Sequence, residues 1–181
     1  MELKFETAET SFSPRFVDRG TLAMLSAVDL TCAGKLLDLG CGYGAVGIYA
    51  ARLIGLQNVV MCDIDPLSVE LSKRNAEING VGGIKIICSD GFAGIEENGF
   101  THILSNPPYQ ADFSVPKHFI EKGFNRLLCG GKMIMVTKRK LWYKNKLIAI
   151  FGGVRIIEAG GYNVFIAEKR SPQYANKQAR R

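Results

Sequence analysis

Short runs of apolar and β-branched residues alternate along the chain with longer segments whose apolar residues recur every three or four positions. The short runs predict strands and the longer segments predict helices. Seven strands are predicted, at residues 35–39, 59–63, 84–89, 102–105, 132–137, 154–159 and 162–168. This alternation predicts a doubly wound, Rossmann-like α/β fold: a seven-stranded, mostly parallel sheet with helices on both faces.

The last two predicted strands meet at Gly160-Gly161, a spacing that suits a tight antiparallel hairpin at the C-terminal end. Gly130-Gly131 and Gly152-Gly153 are interpreted as breaks between elements. The predicted helices are residues 20–28, 45–53, 66–78, 115–128 and 145–151.

One helix, residues 66–78, has clear signals at both ends. Asp65 can cap it, Pro66 suits its first position, and Asn79-Gly80 can end it in a left-handed turn.

The length of 181 residues suits one domain, predicted at residues 1–170, followed by a basic tail at 171–181 that is predicted to be disordered. No window reaches the roughly 18 apolar residues of a membrane span, and the start lacks the apolar stretch of a secretory signal. A cytoplasmic protein is therefore expected.

The five cysteines are widely spaced, and two histidines are too few and too isolated to indicate a metal site. The cysteines are interpreted as small core residues, and no metal is expected. The formal charge is +6, and the basic excess gathers in the C-terminal third, at Lys138 to Lys140, Lys144, Lys146, Lys169-Arg170 and 177–181. This charge favours a polyanionic partner, with nucleic acid as the first expectation.

A glycine-rich turn follows the first predicted strand, in the order Asp38, Gly40, Gly42, Gly44. Glycines there allow a tight turn and the close approach of a ligand, so the segment predicts a nucleotide cradle. The stretch from Gly42 to Gly47 also matches the dinucleotide fingerprint G-x-G-x-x-G, and Asp63 follows Gly42 by 21 positions. The glycines alone leave the identity of the nucleotide open.

Asp38 favours S-adenosylmethionine (SAM) over a dinucleotide, because a carboxylate at the turn would repel a pyrophosphate but could bind an ammonium group. Asp63, at the end of the second strand, could accept hydrogen bonds from both ribose hydroxyls. Asp90, after the third strand, could accept one from an adenine amino group. Each of the three could instead be an ordinary turn residue.

The motif Asn106-Pro107-Pro108-Tyr109 directly follows the fourth strand, near the edge where such sheets bind ligands. The prolines fix φ and remove amide donors, so the Pro107 carbonyl and the Asn106 amide oxygen can form a rigid pair of acceptors. Such a pair could hold both hydrogens of an amino group on a flat ring and direct its nitrogen at the SAM methyl group. Tyr109 would stack on that ring.

These motifs resemble the class I SAM-dependent methyltransferases, and among them the small "MTS" domain of bacterial 16S ribosomal RNA guanine-N2 methyltransferases. The resemblance covers nearly the whole chain and includes the early segments Phe12-Ser13-Pro14 and Asp18-Arg19-Gly20-Thr21. It implies that Asp38, Gly40 and Gly42 line the methionine end of SAM, with Asp63 at its ribose and Asp90 at its adenine. It also implies that Gly20 and Thr21 lie near the SAM carboxylate.

Two features depart from that family. Phe100-Thr101-His102 stands where the family often has an aspartate, which we interpret as the substitution of a supporting residue. The ribosomal enzymes also carry a further N-terminal domain, so substrate selection is expected to rest on residues 110–116, 138–146 and the tail.

The sequence predicts methylation of guanine N2 in ribosomal RNA and leaves alternatives open. Adenine N6 of tRNA or DNA and a protein glutamine side chain fit the same acceptor chemistry. An NAD(P)-dependent oxidoreductase fits the literal glycine fingerprint but leaves the Asn-Pro-Pro-Tyr motif unexplained, and a nucleic-acid-binding module without activity is a further alternative.

Overall fold

A computed structural model describes residues 1–8, 17–108 and 112–175. The helices of the described residues are α1 (Arg19–Ala27), α2 (Ala45–Ile54), α3 (Pro66–Ile78), α4 (Ser114–Arg126) and α5 (Lys140–Phe151), with a 3-10 turn at Leu56–Asn58. The strands are β1 (Leu36–Leu39), β2 (Val59–Asp63), β3 (Lys85–Cys88), β4 (Phe100–Ser105), β5 (Leu127–Thr137), β6 (Arg155–Ala159) and β7 (Tyr162–Glu168). None of these helices is long and apolar enough to cross a membrane.

The strands form one seven-stranded sheet in the order β3-β2-β1-β4-β5-β7-β6. β1 to β5 pair in parallel, whereas β7 is antiparallel to both β5 and β6. The predicted fold and its C-terminal hairpin are confirmed. The chain runs outward from β1 on both sides, so the C-terminal ends of β1 and β4 border the crevice where such sheets bind ligands.

Side chains alternate between two cores because successive residues of a strand point to opposite faces. Leu36 and Leu104 belong to the core covered by α1, α2 and α3. Leu37 and Ile103 belong to the opposite core, which α4 and α5 cover. Asp38 has the parity of Leu36, so its side chain faces α2, and the sheet itself places this carboxylate behind the glycine turn.

The predicted boundary between α4 and β5 is wrong. The helix ends at Arg126, and β5 begins at once at Leu127, so Gly130-Gly131 lies inside the strand instead of before it. Gly130 has a φ of 84°, and the register of β4 against β5 shifts between Phe100 and His102. The positive φ of Gly130 lets the strand bulge while its amide still donates to the Lys169 carbonyl of the neighbouring chain segment at 2.8 Å.

α5 begins at Lys140, five residues before its predicted start at 145. The charged and aromatic residues before position 145 do not show the apolar pattern of a helix. The buried side chains of Tyr143, Leu147 and Ile150 nevertheless recur at helical spacing and pack on the sheet. Tertiary packing therefore extends the helix beyond the segment that its apolar pattern indicates.

The interpretation of all cysteines as core residues is confirmed for Cys41 and Cys62 and wrong for Cys32, Cys88 and Cys129, which are exposed. The last part of the predicted tail, 176–181, lies outside the described residues.

Candidate functional site

A cavity of about 350 Å³ opens at the C-terminal ends of β1, β2 and β4. Most of the predicted site residues line it: Thr21, Asp38, Gly40, Gly42, Asp63, Asp90, Asn106, Pro107 and Pro108. Gly20 is buried in the first turn of α1 and is not part of the cavity wall. Tyr109 and Phe12-Ser13-Pro14 lie outside the described residues.

The glycine turn between β1 and α2 is fastened from behind by β2. The amides of Gly40 and Cys41 both donate to the Cys62 carbonyl at 2.9 Å, and the amide of Gly42 donates to Asp63 Oδ2 at 2.8 Å. A Cβ atom placed on Gly40 or Gly42 would meet no protein atom within 4 Å. The cavity side of the turn is therefore open to a ligand.

Asp38 is a buried carboxylate in the cavity wall. Its Oδ2 accepts a hydrogen bond from the amide of Gly47 in the first turn of α2, at 2.8 Å. Burial raises the pKa of Asp38 to about 7; the Gly47 amide lowers it in part, and the charge of Asp63 raises it further. Such a carboxylate is stabilised in its charged form when a cation binds beside it.

Two buried polar residues of α3 also hold the glycine turn. Ser72 Oγ donates to the Gly42 carbonyl at 2.7 Å, and Asn75 Nδ2 donates to the Tyr43 carbonyl at 2.9 Å. The sequence interpretation missed both. The available signal was a polar stripe, Ser68, Ser72, Asn75 and Asn79, at helical spacing on an otherwise apolar face.

The same stripe binds the start of the chain. Asn75 exchanges a pair of hydrogen bonds with the backbone of Glu6, at 2.7 and 2.9 Å, and Asn79 exchanges a pair with the backbone of Lys4, at 3.0 and 2.7 Å. Phe5 contacts the ring of Tyr43 edge to face at 5.6 Å. Asn75 therefore links the N-terminal segment to the turn that borders the cavity.

Three apolar side chains line the same cavity as Asp90: Ile64, Val115 and Phe119. Ile64 is 64% exposed although it lies between two aspartates at the mouth of the cavity. Apolar walls with one carboxylate at the edge suit a purine ring that carries an amino group. An apolar residue in the polar turn Asp63-Ile64-Asp65 was the missed signal.

Asn106 has a fixed side-chain orientation. Its Nδ2 donates to Asp18 Oδ2 at 2.8 Å and to Thr21 Oγ1 at 3.0 Å. Its Oδ1 is buried and has no hydrogen-bond partner within the described residues. A buried acceptor without a partner is costly, so this oxygen is a binding position for a donor.

His102 lies in β4 away from the cavity wall, and burial lowers its pKa. The neighbouring Thr101 hydroxyl accepts from the amides of Gly34 and Lys35, both at 3.0 Å, and so ties the start of β1 to β4. Thr101 therefore has a structural role in joining these two strands. Across the described ranges, no three His, Cys, Asp or Glu side chains are grouped as metal ligands would be.

Residues 2–166, nearly the whole chain, match the protein family described as "Methyltransferase small domain". The chain belongs to the methyltransferase small domain family. The family expected from the resemblance is thereby confirmed.

Proteins with sequences similar to this chain include YbxB of Bacillus subtilis, 31% identical over 93% of this chain and 87% of that protein. Ribosomal RNA small subunit methyltransferase C of Pseudoalteromonas atlantica is 30% identical over 87% of this chain but only 47% of its own length. The chain thus spans about half the length of the relatives of that name.

A solved structure with the same fold is the T. thermophilus 16S rRNA N2 G1207 methyltransferase in complex with AdoMet and guanosine. It superposes with a TM-score of 0.77 at 30% identity, over 88% of this chain and 45% of that one. The likeness thus extends over most of this chain and slightly less than half of that protein.

Proposed function

We propose that this chain is a SAM-dependent N-methyltransferase that acts on an exocyclic amino group, guanine N2 of ribosomal RNA above all. The observation that carries the proposal is the buried Oδ1 of Asn106, an acceptor without a partner in the wall of the cavity, beside Pro107. The relatives named for ribosomal RNA methylation, and the similar structure solved with AdoMet and guanosine, support the choice of substrate.

The cavity wall fits SAM at each of its parts. Asp38 would bind the methionine ammonium, and Thr21, whose oxygen already accepts from Asn106, would keep its hydroxyl hydrogen for the carboxylate. Asp63 would accept from the ribose, and Asp90 would accept from the adenine amine between apolar walls. Asp63 already accepts two backbone amides, but each carboxylate oxygen can accept a second donor.

The same geometry disfavours a dinucleotide. Asp38 is a carboxylate in the wall where a pyrophosphate would bind. Gly47, the last glycine of the literal fingerprint, has a packing reason of its own, since a Cβ atom there would lie 2.5 Å from Met61 Cγ. Gly47 is therefore explained by the close packing of α2 on β2 and does not by itself require NAD(P).

Asn106 and Pro107 would promote methyl transfer by orienting the amino group of the substrate. SAM supplies a methyl group on a positively charged sulfur, which keeps the bonding electron pair when the amine nitrogen attacks the methyl carbon. Asn106 Oδ1 and the Pro107 carbonyl would each accept one amine hydrogen, which directs the nitrogen lone pair at that carbon. No strong base is needed, because the nitrogen becomes acidic only as it is alkylated, and its proton can pass to water.

RNA is proposed to bind at the C-terminal end of β5. Ser105 pairs with Met135, so residues 106–108 lie beside the end of β5 and the start of α5. There Arg139 lies over the ring of Phe113 at 4.9 Å, and Phe113 stacks on Trp142 at 4.5 Å and 22°. Aromatic and cationic groups that are at least partly exposed near the Asn106 motif suit a single-stranded nucleic acid.

The proposed RNA surface is narrower than the basic C-terminal third that the sequence indicates. Lys169 is buried and donates to the Leu127 carbonyl at 2.7 Å, and burial lowers its pKa. Lys140 and Lys146 form ion pairs with Glu158 and Glu121. Lys138, Arg139 and Lys144 remain the main candidates for phosphate contacts.

A ribosomal RNA substrate would be consistent with the expected cytoplasmic location.

Transfer of the methyl group from tritiated SAM to unmodified 16S ribosomal RNA, free or in assembled small subunits, tests the proposal. Mass spectrometry of the labelled nucleosides should give N2-methylguanosine. N6-methyladenosine, or label in protein glutamine, would replace the substrate and leave the reaction class intact. Lack of incorporation into any RNA would overturn the RNA substrate, and calorimetric binding of NAD(P)H but not of S-adenosylhomocysteine would overturn the reaction class.

A further inference from the structure

Asp18 and Thr21 hold the Asn106 amide from a different part of the chain, at the start of α1. Asn106 Nδ2 has two hydrogens, and both have acceptors: Asp18 Oδ2 at 2.8 Å and Thr21 Oγ1 at 3.0 Å. The same Asp18 oxygen accepts the Thr21 amide at 3.0 Å and so caps α1. One carboxylate oxygen therefore fastens both the helix and the Asn106 amide.

This arrangement permits only one orientation of the amide. A carboxylate only accepts hydrogen bonds, so rotating the Asn106 amide by half a turn would bring its oxygen against Asp18 Oδ2. The orientation that remains leaves Oδ1 in the cavity wall without a partner in the described part of the chain. A hydrogen bond from the amide nitrogen to an anion also shifts electron density toward Oδ1 and makes it a stronger acceptor.

The backbone of Asp18 is held in place by α1. Its backbone carbonyl accepts a hydrogen bond from the Leu22 amide at 3.0 Å. Thr21, Ala23 and Met24 of α1 are buried, and the last two belong to the core that α1, α2 and α3 cover. The position of Asn106 is thus fixed by α1, which packs on the sheet, and not only by the loop after β4.

We infer that Asp18 is a positioning residue for methyl transfer, which sets the orientation and the acceptor strength of Asn106 Oδ1. The inference rests on the proposed function for its link to catalysis. Asp18 would not contact the transferred methyl group, and its effect would pass through Asn106.

Two substitutions separate this role from the capping of α1. Asp18→Ser keeps a good helix cap but is too short to reach Asn106 as well. Asp18→Asn keeps an oxygen that can accept from both the Thr21 amide and Asn106 Nδ2. We expect kcat of Asp18→Ser to fall on the order of 100-fold, since small misplacements of a reacting group have effects of that size. Its Tm and its affinity for S-adenosylhomocysteine should stay near those of the parent protein, and Asp18→Asn should retain most of the activity.

A double-mutant cycle with Asn106→Ala decides whether Asp18 acts through Asn106. In the Asn106→Ala background, Asp18→Ser should have no further effect on kcat. Asp65→Ala is the matched control for loss of a cap, because Asp65 caps α3 through the amides of Leu67 and Ser68 and does not line the cavity. It should lower Tm and leave kcat unchanged. Equal losses from Asp18→Ser with and without Asn106 would overturn the inference.

Nuclear magnetic resonance of the Asn106 side-chain amide supplies a readout that is independent of activity. Its two protons should exchange slowly with water in the parent protein and in Asp18→Asn, and fast in Asp18→Ser. Unchanged exchange in Asp18→Ser would exclude the orientation role even if no RNA is methylated. A parent protein that methylates no RNA but shows the exchange difference would leave Asp18 as the residue that orients Asn106 and would refute only the proposed function.

Discussion

The amide of Gly42 donates to the carboxylate of Asp63 across 2.8 Å. These two residues are separated by the 21 positions that the dinucleotide fingerprint would assign to a ribose contact. In this chain the residue at that spacing makes an intramolecular contact. Asp63, the last residue of β2, holds the glycine turn in the shape that opens the cavity.

In the glycine turn, a substitution of Gly42 should weaken ligand binding by more than its backbone cost explains. In Gly42→Ala, the new methyl group would occupy open space in the cavity wall, at a φ of 56° that costs an alanine about 1 kcal/mol. We expect calorimetry to show that the affinity for S-adenosylhomocysteine falls at least 10-fold, an order-of-magnitude expectation for a methyl group placed in a ligand pocket. Gly160→Ala, in the β6–β7 turn at a φ of 58°, is the control: it carries the same backbone cost but should bind the ligand normally. Equal affinities of the two variants would place the ligand elsewhere.

Asp38 predicts how ligand binding depends on pH. Because its pKa is about 7 in the folded protein, the carboxylate becomes charged as the pH rises through 7. An ammonium group binds the charged form, so affinity for S-adenosylhomocysteine should increase from pH 6 to pH 8. Asp38→Asn should weaken binding and flatten this part of the profile. A parent protein whose affinity is constant over the interval would show that Asp38 does not contact the ammonium.

The same residue predicts the pH dependence of stability without ligand. The folded state binds the Asp38 proton more tightly than the unfolded chain, whose aspartate pKa is about 3.8. The contribution of this residue to the free energy of unfolding is therefore greatest below pH 4 and is lost as the pH rises from about 4 to about 7. Urea unfolding of the parent protein and of Asp38→Asn should differ in slope over this interval, with the variant less sensitive to pH.

Asn75 should matter more than its neighbour Asn79. Removal of the buried Asn75 amide leaves the Tyr43 carbonyl and the backbone of Glu6 without partners, at a cost of roughly 2 kcal/mol. Ligand affinity should fall as well, because Tyr43 belongs to the cavity wall. Asn79→Ala frees only the backbone of Lys4 and an α3 carbonyl, so its loss should be smaller and ligand affinity should be kept. Chemical unfolding and calorimetry measure both; a larger effect at Asn79 would contradict this account.

The stack of Arg139, Phe113 and Trp142 predicts distinct effects on RNA binding. Trp142→Ala should weaken binding by roughly 1 to 3 kcal/mol if a base stacks there. Arg139→Gln should lower the dependence of log affinity on log salt by about one phosphate contact, close to 0.7 for single strands. Lys73→Gln, which removes one exposed charge from α3 at the other end of the sheet, is the control and should change neither. If Arg139→Gln, Lys73→Gln and the parent protein have the same salt dependence, Arg139 does not contact an RNA phosphate.

The sequence alone determined the fold class, the order of strands and helices, and most of the cavity wall. Short continuous apolar runs predict strands that are buried on both faces, and in a parallel sheet the residues that follow each strand must meet at one edge. Gly40, Gly42, Asp63, Asp90 and Asn106 each follow or end a strand, and Asp38 is the last residue but one of β1, so their convergence was predictable. The bulge at Gly130 and the start of α5 were not, because register and packing against β7 and the core decide them.

Only the tertiary structure decided which contacts fix these residues in place. Ser72 and Asn75 reach the glycine turn from α3, and Asp18 reaches Asn106 across 88 positions. Hydrogen bonds of this kind depend on which helix face packs on which strand end, and a polar residue in a helix gives no sign of its distant partner. The orientation of the Asn106 amide follows from that packing, since the motif around it specifies an acceptor but not the direction in which the acceptor points.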